Sequence, residues 1–195
     1  MKRAFDFILS FVGLVLLTPL FLIVALLIKL DSKGPVFYMQ SRVGRFNNDF
    51  KLFKFRTMTL NADRLGLLTL SSRDERITKL GYYLRKYKVD ELPQLINVLK
   101  GDMSLVGPRP EVRKYVDLYS KNQMKVLDFR PGITDVSSIR YSNENEVLEN
   151  QSEPEKYYIE VIMPEKIKYN LEYLKKQNIL SDIQTIFRTL AKIVQ

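Results

Sequence analysis

The chain has 195 residues, with 31 Lys and Arg against 22 Asp and Glu, a net charge of +9, and neither cysteine nor histidine. Those absences exclude disulfide scaffolds, thiol catalysis, Cys/His zinc sites and any mechanism that uses histidine as base or nucleophile. The length suits one domain with a modest core, the 46% hydrophobic fraction is that of a folded chain, and the basic excess points to an anionic partner: nucleic acid, a phosphorylated substrate or acidic lipid.

The first predicted element is apolar. From Phe7 to Ile28 there is no charged side chain, and 22 residues are enough to cross a hydrocarbon core of about 30 Å as a helix. A helix apolar on every face for that length reads as a membrane segment rather than a soluble core helix. A cleavable signal peptide fits poorly. The run is too long, and Lys29-Leu30-Asp31-Ser32-Lys33 follows it in place of a small-x-small site. Thr18-Pro19 lies mid-run, and a proline there predicts a kink or break. Lys2 and Arg3 precede the run and Lys29 and Lys33 follow it, so the positive-inside bias selects neither end for export. A broken helix with both ends on one face and a kinked spanning helix both satisfy these clues.

After Gly34-Pro35 the pattern is mixed. Val36–Met39 and Phe50–Phe55 read as two strands of a small β-hairpin, with Gly44 and Asn47-Asn48-Asp49 as turn material. Thr78–Lys88 reads as a basic helix. Asp90–Leu99 reads as an amphipathic helix that starts at or near Asp90: Leu92, Leu95, Ile96 and Leu99 share one face, Pro93 is tolerated only in the first turn, and Lys100-Gly101 is a stop signal. Glu111–Asp128 is predicted helical between the irregular Pro108, Pro110 and Pro131-Gly132, and Gly132 is expected to serve a turn. Asn143–Leu174 is predicted helical in pieces, interrupted at Pro154 and Pro164. Ser181–Gln195 is amphipathic, with Ile183, Ile186, Phe187, Leu190, Ile193 and Val194 opposite Gln184, Arg188 and Lys192. It is expected to lie in the lipid interface, with packing on the core as the alternative. The fold class is α+β, mostly helical.

The chemistry-bearing residues are few. The chain has no GxxxxGK phosphate loop, GxSxG elbow, HExxH pair or Asp-x-Asp pair. What remains is Asp90-Glu91, with Arg85 upstream and Gly107-Pro108-Arg109-Pro110 downstream. At a helix N-terminus the free N–H groups favour an ionised carboxylate. An ionised Asp90 can ligate Mg²⁺ or attack phosphorus, and Glu91 can act as base or second metal contact. Arg85 and Arg109 are placed to meet phosphate, Arg109 in a loop braced by prolines. By itself the pair reads more simply as a helix N-cap and a first-turn carboxylate. Lys54 and Arg56 can bind phosphate or lipid head groups, or merely form a solvated strand face.

The stretch from Lys88 to Pro110, KVDELPQLINVLKGDMSLVGPRP, closely resembles the core of the bacterial sugar transferases, the monotopic phosphoglycosyl transferases. Gln40-Ser41-Arg42-Val43-Gly44, Lys54-Phe55-Arg56-Thr57-Met58 and Arg130-Pro131-Gly132-Ile133-Thr134 are similar to that family in the same order, as is an apolar N-terminal segment with a central proline. The resemblance implies transfer of a phosphosugar from a UDP-sugar to polyprenyl (undecaprenyl) phosphate, with UMP released, to start a cell-surface glycan. It implies that Asp90 forms a covalent phosphosugar intermediate, that Mg²⁺ sits at Asp90, that Glu91 is its partner carboxylate, and that Arg85 and Arg109 lie near the phosphates. It also implies a re-entrant helix over residues 1–33 and a catalytic domain over 34–195 on the cytoplasmic face of the bacterial inner membrane, with membrane lipid as a partner.

Two departures stand out. Thr18-Pro19 replaces the family's frequent Ser-Pro, which keeps a hydroxyl able to bond to a carbonyl of the preceding turn. Many members continue Pro-Gly-Ile-Thr with Gly-Trp-Ala-Gln-Val-Asn-Gly-Arg, whereas this chain has Asp135 to Asn145 in a different pattern and no tryptophan; that segment is a candidate for choosing the sugar. The chain resembles the family's small form, without a multi-span N-terminal region. The competing readings are a glycosyltransferase that moves only the sugar and releases UDP, and a non-enzymatic basic membrane scaffold. No aromatic platform interleaves with a basic tract, so nucleic acid is not expected as a partner.

Overall fold

A computed structural model describes residues 1–60, 62 and 74–194. Helix α1, Lys2–Asp31, is a single α-helix with mean hydropathy 2.9 over its most apolar window. Of the kink or break expected at Thr18-Pro19, the break does not occur: the helical pattern runs through Pro19. The Thr18 hydroxyl donates to the Leu14 carbonyl at 2.8 Å, the back-bond that bends a helix without ending it. Polarity along α1 is inverted relative to a soluble helix. Its buried residues include Asp6 and Ser10, while Leu16, Leu22, Ile23, Leu26 and Leu30 are each more than half exposed.

Strands β1 (Phe37–Val43) and β2 (Asp49–Phe55) form the expected hairpin, in antiparallel register from Phe37↔Phe55 to Val43↔Asp49. Helix α2, Lys79–Lys86, begins at Thr78, whose hydroxyl accepts from the Gly81 N–H at 3.0 Å. Helix α3 starts later than the pattern predicts, at Gln94, and ends at Lys100. Asp90 and Glu91 lie before it, in a 3₁₀ turn over Val89–Glu91. The face that α3 buries deepest is also different: Gln94, Asn97 and Val98 are buried, whereas Leu92, Leu95, Ile96 and Leu99 are only partly so. Asn97 replaces a missing β-strand neighbour. Its amide donates to Lys51 O at 2.7 Å and accepts from Phe53 N at 2.9 Å, satisfying the edge of β2 from inside the protein.

Strands β3 (Ser104–Val106) and β4 (Gly132–Thr134) pair in parallel. Gly132 is required for close approach rather than for a turn, since a Cβ there would lie 2.1 Å from Gly107 N. The single helix expected over Glu111–Asp128 is instead α4 (Arg113–Val116) and a 3₁₀ stretch, Gln123–Asp128. Ser120 and Gln123 explain the restart. The Ser120 N–H donates to Gln123 Oε1 at 2.7 Å, and the Gln123 N–H donates to Ser120 Oγ at 3.4 Å, a reciprocal box that opens a new helical segment.

Then follow α5 (Val136–Arg140), capped by Asp135, and α6 (Glu144–Glu149). Helix α7 (Pro154–Tyr157), a π-helical turn (Tyr158–Ile162) and α8 (Met163–Leu174) are contiguous. Thus Pro154 starts a helix, and Pro164 is accommodated after the π turn rather than interrupting. Helix α9, Ile179–Val194, turns Asp182 and Thr185 inward and leaves Leu180, Phe187 and Leu190 exposed. Gln195 and the Val194 side chain, both in the expected amphipathic segment, lie outside the described residues.

The main core gathers Val112, Tyr115, Val126, Leu148, Tyr158, Ile162, Met163 and Ile167. A second cluster, Val24, Ile28, Phe55 and Leu84, fastens the C-terminal half of α1 to β2 and α2. The N-terminus of α1 is fastened by polar bonds. Lys2 Nζ reaches Asp182 at 2.6 Å, Asp6 accepts from Ser104 Oγ at 2.8 Å, and Arg3 donates to the Val98 and Leu99 carbonyls at the end of α3. Both ends of the apolar helix are therefore bound to one body.

Candidate active site

The site begins with a backbone feature. Lys88 is left-handed, at φ 56°. It ends the α2 region and turns the chain so that two consecutive carboxylates enter the interior; Asp90 is 6% exposed and Glu91 8%. A non-glycine residue in that region is strained and persists where its surroundings enforce it.

Two cations hold Glu91. Lys54 Nζ from β2 lies 3.0 Å from Oε1; Arg109, after β3, donates to Oε1 at 2.7 Å and to Oε2 at 3.4 Å. The Arg109 loop is itself fixed, because Pro108 O accepts from Gly132 N at 2.9 Å and Pro110 O accepts from Arg42 at 3.1 Å. Burial works against charge on Glu91, but Arg109 and Lys54 outweigh it and hold the carboxyl well below its usual range. Burial pushes Lys54 down, with Glu91 opposing.

Asp90 differs from its neighbour. Its Oδ1 is buried with no hydrogen-bond partner. Burial, and then the charge of Glu91, push its carboxyl above the ordinary value, against the pull of Lys54, Lys88 and Arg85. Burial lowers the Arg85 guanidinium, opposed first by the charge of Asp90. Asp90, Glu91, Lys54, Arg85 and Arg109 line one cavity of about 1300 Å³, which exceeds the ordinary range for one small ligand.

Arg56, expected to meet phosphate or lipid head groups, lines the same cavity, but its guanidinium is engaged by backbone carbonyls. It is 5% exposed and donates to the carbonyls of Ser32 (2.7 Å), Ile28 (3.5 Å) and Lys33. It caps the C-terminal end of α1. Thr18 and Pro19 belong to α1 and not to the cluster around Asp90.

Several residues given no role above also lie here. Arg42, within the Gln40–Gly44 motif, donates to Gln40 Oε1 and lies 3.8 Å from Glu111, which accepts from the Tyr158 hydroxyl. Glu144 and Lys166 form an ion pair of 2.6 Å that lines the same cavity. Only the motif around Arg42 carried a sequence signal; the others are brought in from distant segments.

Among the described residues no three Asp, Glu, His or Cys side chains converge to hold a metal alone. The Asp90 carboxylate, whose buried Oδ1 has no partner, nevertheless fits a Mg²⁺ shared with substrate, since that ion takes one or two carboxylates and completes its shell with phosphate oxygens and water.

Residues 1–195 match the family described as bacterial sugar transferase. The chain is 36% identical over 196 residues to the UDP-N-acetylgalactosamine-undecaprenyl-phosphate N-acetylgalactosaminephosphotransferase of Aeromonas hydrophila, covering 99% of this chain and 43% of that protein. It is 34% identical over 196 residues to the UDP-glucose:undecaprenyl-phosphate glucose-1-phosphate transferase of Escherichia coli, covering 98% and 40%. It is 32% identical over 207 residues to the exopolysaccharide production protein ExoY of Sinorhizobium fredii, covering 98% and 84%. The chain thus spans less than half the length of the first two relatives and most of the third. With a match over its whole length, the chain belongs to the bacterial sugar transferase family.

Proposed function

We propose that this chain transfers a phosphosugar from a UDP-sugar to undecaprenyl phosphate and releases UMP. The observation that carries the reading is Asp90, a buried carboxylate oxygen without a partner in a cavity that also presents Lys54, Arg85 and Arg109. Those cations suit a diphosphate. The Aeromonas and Escherichia relatives share a UDP donor and an undecaprenyl-phosphate acceptor in their names and differ in the sugar.

In this reading the Asp90 carboxylate attacks the sugar-linked phosphorus. The bond from that phosphorus to the oxygen bridging the two phosphates breaks, and UMP leaves with the electron pair. A phosphate oxygen of the lipid then attacks the same phosphorus, the acyl oxygen–phosphorus bond breaks, and Asp90 is regenerated. Both nucleophiles are anions from the start, so neither half requires proton removal, in keeping with a chain that lacks histidine. The burial that raises Asp90 also leaves its ionised oxygen less stabilised and more nucleophilic. Glu91 is poorly suited to act as a base, because it is held low and occupied by two cations; it positions Lys54 and Arg109. Asp90 would hold Mg²⁺ together with the substrate, and the ion would supply charge neutralisation at the phosphates.

We further infer that the chain is monotopic on the cytoplasmic face of the inner membrane. Thirty residues of helix are about 45 Å long, yet α1 is bound at both ends to the body that carries Asp90. A spanning helix would separate those ends by the hydrocarbon core of about 30 Å. The exposed leucines of α1 and Leu180, Phe187 and Leu190 of α9 suit lipid rather than water. The test is UMP release from a panel of UDP-sugars with undecaprenyl phosphate, with and without a Mg²⁺ chelator. Mg²⁺-dependent UMP supports the reading, and UDP as product refutes it.

A further inference from the structure

We propose that Glu144 and Lys166 read the glycosyl unit of the donor and select a neutral, hydroxyl- or amide-bearing sugar over an acidic one. The proposal rests on the phosphosugar-transferase reading of the site.

The cavity around Asp90 has two kinds of polar wall. Lys54, Arg85 and Arg109 supply excess positive charge, which suits the diphosphate. The wall built by α5, α6 and α8 is mixed. Lys166 of α8, 9% exposed, meets Glu144 of α6 at 2.6 Å, and Ser138, Ser142 and Asn145 line the cavity beside them. The two walls line the same cavity.

An ion pair in such a place costs desolvation that its mutual attraction does not recover unless the remaining hydrogen-bonding capacity is used. An ammonium has three donors, and Glu144 Oε2 takes one. The ammonium also lies over the Tyr158 ring, 6.0 Å from its centroid; the donor capacity that remains and the second carboxylate oxygen match sugar hydroxyls or an acetamido group. The charges of the pair cancel, so a neutral sugar meets no uncompensated field. A hexuronate would bring a carboxylate against Glu144, and like charges disfavour each other in a partly buried site. The lining residues Ser138, Ser142, Glu144 and Asn145 come from one short stretch of chain after Thr134.

The test measures UMP release with UDP-glucose, UDP-N-acetylglucosamine and UDP-glucuronate for the parent, Glu144→Gln and Lys166→Gln. Inhibition by UMP and thermal melting are followed in parallel. The parent should prefer the neutral donors over UDP-glucuronate by tenfold or more in kcat/KM. Glu144→Gln leaves Lys166 unpaired and should move that ratio at least tenfold toward UDP-glucuronate; Lys166→Gln should move it the other way. UMP inhibition should stay within twofold. Should Glu144→Gln fail to melt cooperatively, Glu144→Asp, which draws the charge back from Lys166, should give a smaller shift of the same sign. Unchanged donor ratios overturn the proposal. So does a loss of UMP inhibition in a variant that melts normally, which would place the pair on the nucleotide. A parent that releases no UMP from any donor refutes the reading of the site itself, whereas normal parent turnover with unmoved ratios refutes this inference alone.

Discussion

Glu91→Gln isolates what the two cations do. In the parent, Lys54 and Arg109 both donate to Oε1 of one carboxylate, at 3.0 and 2.7 Å. Glutamine keeps the shape but has one acceptor and one donor end, so its NH₂ must face a cation whichever way it turns. A hydrogen bond to a charged group contributes about 1.5–3 kcal/mol. Two are weakened here, and the loss is discounted because the Arg109 side chain is 33% exposed and can recover water. The expected cost is about 2–3 kcal/mol, or roughly 5–10 °C in Tm for a chain of this size. Far-UV circular dichroism melting in detergent at neutral pH measures it. The variant has a second signature. Removing the Glu91 charge takes away one cause of the raised Asp90 carboxyl and frees both cations to attract Asp90. The acid limb of adduct formation at Asp90 should therefore move to lower pH. An unchanged Tm together with an unmoved acid limb would refute this account of the pair.

Arg109→Lys keeps the charge but loses the planar fork and with it the two-pronged contact to Glu91; turnover should fall at least tenfold in a protein that still melts cooperatively, with a smaller loss of Tm than Glu91→Gln, and near-normal kinetics would make Arg109 purely structural. In the parent, Asp90 reacts only when ionised, and its carboxyl sits above the ordinary 3.8. The rate of adduct formation should therefore decline as pH falls, starting above that value, and a rate flat down to about pH 4 would contradict the burial argument. For topology, one cysteine is placed ahead of Met1 and another at the exposed Leu118, in a chain that has none of its own. An impermeant thiol reagent on intact cells should label neither, and labelling at the N-terminus alone would establish a spanning helix.

The residues explain which features could be read without coordinates. The apolar run, the hairpin and the carboxylate pair are local signals, and each is present. The face that α3 buries was misjudged. Asn97 turns inward because the edge of β2 needs a partner there, and Asp182 of α9 turns inward to meet Lys2. A rule that places polar residues outward overlooks such buried partners. Arg56 was grouped with Lys54 by strand alternation, but β2 ends at Phe55, so the next residue leaves the strand face and meets α1. The pairs Glu111–Tyr158 and Glu144–Lys166 join residues 47 and 22 positions apart. No periodicity in a single chain signals such contacts. The capping box at Ser120 and Gln123 was legible as a pattern, and it accounts for the restart within Glu111–Asp128.

The central claim is that Asp90 becomes covalently attached to the phosphosugar. The direct measurement is intact-protein mass spectrometry after incubation with Mg²⁺ and an accepted UDP-sugar in the absence of undecaprenyl phosphate, followed by peptide mapping. The account predicts a mass increase of one phosphosugar, located on Asp90, discharged when undecaprenyl phosphate is added, and absent in Asp90→Asn, whose neutral amide is a poor nucleophile. Turnover by Asp90→Asn, or full parent turnover with no trapped adduct under these conditions, would contradict it.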